Sequence, residues 1–246
     1  MQKISGCVRR AVDDYNMIED GDKIAVALSG GKDSIALLYK MRELQYFYRN
    51  KFELIAITIN PGFPEFDEDL LHNLCENVGV PLVIYKSNIK EIVFDEIFER
   101  KETNPCSLCA NLRRGMLNTV AKENGCNKIA LGHNEDDVIE TLLMNMIFAG
   151  NFSTIAPIAY MDKSGMTLIR PLIYVSEKGT KSFCKSNGIT PMPKVCPQDG
   201  NTSRQFAFDL LRSWEIKNKH TRANLMGAIK RAGLNGWKEA DASNNK

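Results

Sequence analysis

Four short apolar runs rich in β-branched residues, Lys23 to Leu28, Leu54 to Ile59, Pro81 to Tyr85 and Lys128 to Leu131, are separated by segments of helical period. Runs this short and continuous read as strands buried on both faces. The intervening segments read as helices over Ile35–Tyr48, Asp67–Val78, Cys109–Asn124 and Asn134–Phe148. Strands alternating with helices require crossover connections, so the expected architecture is a doubly wound α/β layer around a mainly parallel sheet. Beyond Gly150 the pattern loosens to a strand at Thr167–Ile169, a helix at Glu177–Asn187, an irregular stretch from Gly188 to Ser203 and two helices at Gln205–Lys217 and Arg222–Ala232. The residues after Lys238 read as frayed. The expected division is an α/β domain over 1–175 and a helical, basic extension over 176–246.

A chain of 246 residues suits one such domain with appendages. With 43% hydrophobic and 25% charged residues it has the composition of an ordinary soluble globule. Its longest unbroken apolar runs, Ile24 to Leu28 and Ile35 to Tyr39, are far below the roughly 20 residues of a membrane span. No apolar stretch follows the basic residues near Met1, so the expected location is cytoplasmic, with no membrane partner. Net charge is only +2, but it is polarised. From Arg204 to Lys246 nine basic residues face four acidic ones, whereas from Glu65 to Glu102 ten acidic residues face four basic. A basic tail suits phosphate backbones, and a solvated helical face has the same pattern. Trp214 and Trp237 in that tail are expected in helix packing, with base stacking as the alternative.

Leu28-Ser29-Gly30-Gly31-Lys32-Asp33-Ser34 closes the first strand and opens the first helix, where backbone N–H groups and the helix dipole favour an anion. The Walker pattern is not met, because Val26 stands five positions before Gly31 and Asp33 follows the lysine. The S-G-G-x-D-S string resembles the signature of the N-type ATP pyrophosphatases, the PP-loop family. The resemblance implies cleavage of ATP between its α and β phosphates. By it, Ser29, Gly30, Gly31, Asp33 and Ser34 hold the pyrophosphate, Lys32 adds positive charge and Asp33 reaches Mg²⁺.

Gly132-His133-Asn134-Glu135-Asp136-Asp137 ends the fourth strand and runs on to Glu140-Thr141. Taken alone it is an N-capped helix whose acidic residues match the dipole. It also resembles the G-H-x-x-D-D-x-x-E-T motif of the tRNA-modifying members of that family, which implies that Gly132 and His133 border the nucleotide and Asp137 acts near the metal or the reacting base. Asn60, just past the second strand, is a further candidate for the adenine pocket.

Seven cysteines in a chain without a secretory leader argue against a disulfide framework. Cys7, Cys75, Cys126 and Cys184 read as small buried hydrophobes. Pro105-Cys106-Ser107-Leu108-Cys109 is a C-x-x-C, suited to a shared metal centre, a dithiol pair or packing. Continued through Arg113-Arg114-Gly115, it resembles a segment of the tRNA 2-thiocytidine synthetase family and its 2-thiouridine relatives. That family carries a [4Fe-4S] cluster on three cysteines, and Cys196, with Asn201 and Arg204 nearby, resembles the third. The commonest pattern there has a second C-x-x-C, but Pro193 stands at that position here. Zinc completed by a histidine is the alternative. Arg113 and Arg114 are candidates for tRNA phosphate or for surface ion pairs.

The resemblance implies ATP-dependent 2-thiolation of a tRNA pyrimidine. By it, ATP adenylates the C2 oxygen, releasing pyrophosphate, and sulfide held by the cluster attacks C2 and expels AMP. Cytidine is the expected base. The alternatives are uridine, a lysidine-synthetase-like ligase on the same ATP fold, and a tRNA-binding or sulfur-carrier protein that uses the fold as a nucleotide sensor. The expected partners are tRNA, a sulfur donor that the sequence does not identify, and a second copy of the chain.

Overall fold

The computed structural model describes residues 2–93, 105–193 and 203–238, without the side chains of 2, 3 and 105–107. Eight α-helices and six strands are described. They run α1 (Gln2–Asp14), β1 (Asp22–Ala27), α2 (Lys32–Phe47), β2 (Phe52–Asn60), α3 (Glu68–Val78), β3 (Leu82–Lys86), α4 (Pro105–Glu123) and β4 (Lys128–Ala130). Then come α5 (Glu135–Phe148), β5 (Ile158–Met161), β6 (Met166–Ile169), α6 (Glu177–Ser186), α7 (Ser203–Lys217) and α8 (Thr221–Arg231).

The strands form one sheet in the order β3-β2-β1-β4-β6-β5, parallel except for the edge strand β5, which runs antiparallel to β6. Alternate residues of the central strands feed two cores. Ile24, Val26, Leu28, Leu54 and Ala56 face the layer formed with α1, α2, α3, α5 and α6. Ala25, Ile55, Ile57, Ile59 and Ile129 face α4. Burial on both faces explains why these strands read as continuous apolar runs rather than as alternation.

The expected doubly wound sheet is present. Two elements go beyond the sequence reading. Helix α1 puts Val8, Ala11 and Val12 in the core, with Ile4 and Cys7 packed against it. The spacing of Ile4, Val8, Ala11 and Tyr15 carries that helical period in the sequence. Strand β5 is four residues long and half-exposed, too short to give a periodic signal. Helix α4 begins at Pro105, earlier than expected, with proline suited to the first helical position, so the C-x-x-C falls in its first turn.

The chain runs from β1 to β2 on one side and places β4 on the other, so β1 and β4 flank the topological switch point of the sheet. Ligands of open α/β sheets bind in the crevice beyond the strand ends at this point. The segments 28–34 and 131–137 both open there.

Candidate nucleotide site

The loop after β1 is closed by its own serines. The Ser34 hydroxyl donates to the Gly31 carbonyl at 2.9 Å and accepts from the Ser29 amide at 3.2 Å and the Ser29 hydroxyl at 3.1 Å. Gly30 sits at φ +78°, in the left-handed region, and a Cβ there would lie 2.9 Å from the Met192 Cβ. Met192 also donates its amide to the Gly30 carbonyl at 2.9 Å. Gly31 caps α2 and, as a glycine, offers the first amides of the helix no side-chain acceptor. A Cβ on Gly132 would come within 3.2 Å of the Asp33 and Ser34 backbone, so a glycine at the end of β4 lets the two loops touch.

Asp33 is the hub of this contact. Its Oδ1 accepts from the Thr180 hydroxyl at 2.5 Å and from the Asn134 amide at 3.2 Å, while its Oδ2 pairs with the Lys32 ammonium at 2.8 Å. Lys32 also pairs with Glu177 at 3.1 Å. Burial pulls the Lys32 ammonium down, but the two carboxylates outweigh it and hold its pKa above the usual lysine value. Thr180 and Glu177 come from α6, whose sequence showed only a helix. Their part in the site depends on a tertiary contact between α6 and α2.

Asn134 and Asp137 form a capping box at the start of α5, with the Asp137 Oδ2 accepting the Asn134 amide at 2.9 Å and the Asn134 Oδ1 accepting the Asp137 amide at 3.1 Å. The other Asp137 oxygen pairs with Arg204 at 3.0 Å, and Arg204 lies 3.7 Å from Glu140. Burial pushes the Asp137 carboxyl up, against the pull of the Asn134 amide and Arg204. Glu140, 6% exposed, is pushed up to about 7 by burial, with Asp137 and Asp136 adding to it and Arg204 opposing it. Asp136, by contrast, is structural. It accepts the Glu177 amide at 2.6 Å and pairs with Arg222 of α8, which also holds Glu215 of α7 at 2.5 Å.

A cavity of about 750 Å³ opens beside the loop, between the sheet and α4. Ala27, Ile57, Ile59, Leu131 and Leu168 form an apolar floor, and Ser29, His133, Arg113, Arg114 and Arg170 stand around it. Three buried side-chain polar atoms lack a partner among the described residues: Asn118 Oδ1, His133 Nδ1 and Arg170 Nε. All three belong to residues lining this cavity. Burial and the cations Arg170, Arg204 and Arg114 depress the His133 imidazole to about 3, so it is neutral at physiological pH. An apolar chamber with a few unsatisfied polar groups, against a glycine-rich anion loop, suits a nucleotide.

The structure thus gathers Ser29, Gly30, Gly31, Lys32, Asp33, Ser34, Gly132, His133 and Asp137 in one crevice. Asn60 is turned elsewhere, donating to Glu68 at 2.6 Å and accepting the Gly62 amide at 2.8 Å, and it does not line the cavity. Cys109 packs beside the α4-side core, one residue from the cavity-lining Ala110. Cys106 is in the same helical turn, while its side chain, with all of Cys196 and Asn201, lies outside the described residues. Two thiols three residues apart on one helical turn are soft donors of the kind that suit an iron–sulfur or zinc centre. Trp237 is buried in the core, its indole donating to the Ile155 carbonyl at 2.8 Å, and Trp214 is 38% exposed.

A PP-loop domain family model matches residues 5–213. The tRNA-cytidine(32) 2-sulfurtransferase of Syntrophotalea carbinolica is 36% identical over 93% of this chain and 88% of its own length. Its namesakes from Geobacter metallireducens and Neisseria meningitidis serogroup C are 38% and 40% identical, over 93% and 87% of this chain and 89% and 67% of their own. Among solved structures, the U34-tRNA thiolase NcsA of Methanococcus maripaludis, determined with its [4Fe-4S] cluster, superposes with a TM-score of 0.74 at 25% identity, covering 93% of this chain and 78% of that one. With the phosphate loop, the G-H-x-x-D-D motif and the switch-point crevice in place, the chain belongs to the PP-loop family and, within it, to the tRNA-cytidine(32) 2-sulfurtransferases.

Proposed function

We propose that this protein is a tRNA sulfurtransferase that replaces the C2 oxygen of a cytidine in tRNA with sulfur at the expense of ATP. The observation that carries this reading is the meeting of the Ser29–Ser34 loop with the Gly132–Asp137 motif through the Asp33–Asn134 hydrogen bond, beside a nucleotide-sized cavity. The adenosine lies on the apolar floor and the β and γ phosphates lie against the amides of Gly30, Gly31 and the first turn of α2. Lys32 offsets the charge of the departing pyrophosphate, and Asp33 would hold Mg²⁺, which would supply further charge stabilisation there.

The pyrimidine O2 attacks the α-phosphorus, the bond from that phosphorus to the bridging oxygen breaks, and its electron pair leaves with pyrophosphate. A donor at the oxidation level of sulfide then attacks C2. The C2–O bond breaks, AMP leaves and the proton of the incoming hydrosulfide is taken up by the released phosphates, so no net electron transfer is needed. Neutral His133 borders the nucleotide without adding a cation, and Asp137 acts near the metal or the reacting base. Cys106, Cys109 and Cys196 would hold a [4Fe-4S] cluster, which would supply the sulfur-transfer chemistry of the second step. The basic helices of 176–246 carry tRNA phosphate contacts, and the enzyme acts in the cytoplasm as a homodimer.

Nucleoside mass spectrometry of tRNA from cells with and without the gene tests the reaction. Loss of 2-thiocytidine, restored by the wild type but not by Asp33→Asn or Cys109→Ser, is expected. An unchanged thionucleoside profile refutes the reading, and loss of a 2-thiouridine instead reassigns the base.

A further inference from the structure

Of the cationic wall of the cavity, Arg113 and Arg114 belong to the Cys106–Gly115 segment, whereas Arg170 has no counterpart in the motifs. Among the described residues no Asp or Glu lines the cavity, yet Arg113, Arg114 and Arg170 do. Arg170 follows β6, and its position is fixed by the sheet: Ile169 pairs in register with Ala130, and the Leu131 amide donates to the Ile169 carbonyl at 2.9 Å. One arm of its guanidinium donates to the Ala156 carbonyl at 2.6 Å, which anchors the fork, while Nε is buried without a partner among the described residues. Burial, with Arg114 beside it, holds its pKa down near 10, so the guanidinium is charged at physiological pH. A buried, anchored arginine with a spare donor and no carboxylate paired to it among the described residues is a site for an anion.

Which anion follows from where the arginine stands. Ser29, His133 and Arg170 extend from the ends of three neighbouring strands, β1, β4 and β6, and line one cavity. Two strand spacings, roughly 10 Å, separate the β1 and β6 positions. On the reading above, the loop at β1 takes the β and γ phosphates and the apolar floor takes the adenosine. The covalent order of ATP then puts the α-phosphate between them, inside the cavity. That phosphate stays behind when pyrophosphate leaves, so donors outside the loop must hold it. A polynucleotide phosphodiester, tied to its strand, stays at the mouth.

We propose that Arg170 binds the α-phosphate, holding the AMP half of the nucleotide while the Ser29–Ser34 loop holds the half that departs. The inference rests on the assignment of ATP to this cavity. It makes Arg170 a direct ligand of the reacting phosphorus centre, acting in adenylation and on the AMP that leaves C2.

The test is calorimetric titration of the full-length protein, wild type, Arg170→Gln and Arg170→Lys, with AMP, adenosine and inorganic pyrophosphate separately. Arg170→Gln is expected to weaken AMP at least tenfold and to leave adenosine and pyrophosphate within twofold. Arg170→Lys, which keeps the charge but not the fork, recovers part of the loss and stands in if the glutamine variant fails to fold. Unchanged AMP binding overturns the proposal, as does a parallel fall in adenosine or pyrophosphate. A wild type that binds neither AMP nor pyrophosphate removes the ATP assignment itself, and the role of Arg170 with it.

Discussion

At Gly30 two constraints coincide, a left-handed backbone and a contact with Met192 that leaves no room for a methyl group. Gly30→Ala is therefore expected to lose about 1–3 kcal/mol of stability, seen as a lowered Tm. The added stabilisation that ATP gives the wild type is lost as well, because the amides around the loop no longer converge. Glu140 makes a second prediction, in pH. Its pKa is raised to about 7 from the ordinary 4.5, so the folded chain binds more protons than the unfolded one between those values. Stability contributed by this group is thus present below about 4.5 and is lost as pH rises to about 7. Glu140→Gln removes the penalty. The variant is expected to gain on the wild type between pH 5 and pH 8 by up to about 3 kcal/mol, with denaturant midpoints at the two pH values as the measurement. An equal difference at both would show that the carboxyl does not titrate there.

Between elements, the two neighbouring acids of the Glu135-Asp136-Asp137 run divide the work. Asp137 faces the crevice, and Asp136 joins the start of α6 to Arg222 of α8. Asp136→Ala leaves Arg222 with Glu215 alone and the Glu177 amide without its acceptor. A loss of about 2–4 kcal/mol is expected, with hydrogen exchange rising at the start of α6 and along α8 but not in β1 or β2. Uniform exchange through the sheet would refute this coupling. Both acids stand in one motif, and the sequence offers no means of telling them apart, because the difference lies in which helices pack on which side of α5. The helix itself was legible from its cap residues, and the strands from their apolar runs, since those signals are local.

Across the whole molecule, the parallel sheet and the gathering of the two motifs were readable because short buried strands with intervening helices leave few topologies. The outer parts of the site were not. Thr180 and Glu177 reach Asp33 and Lys32 from α6, far along the chain, and Asn118 and Arg170 meet only across the cavity. None has a spacing that marks it. Asn60, placed by its position at the end of β2, is claimed instead by Glu68 and Gly62, a competition between local hydrogen bonds that strand position does not reveal.

Strand β1 lies at the centre of the sheet, yet its neighbour β4 comes so late that the Asp22–Asn127 bond beside the pair spans 105 residues. A ribosome adding about 5–20 residues per second leaves one side of β1 without its partner for roughly 5–20 s. During that interval Asp22 to Ala27 present an open row of amides and carbonyls in the middle of what will become the core. The centre of the finished sheet is thus an open edge during synthesis, paired on that side only once β4 emerges.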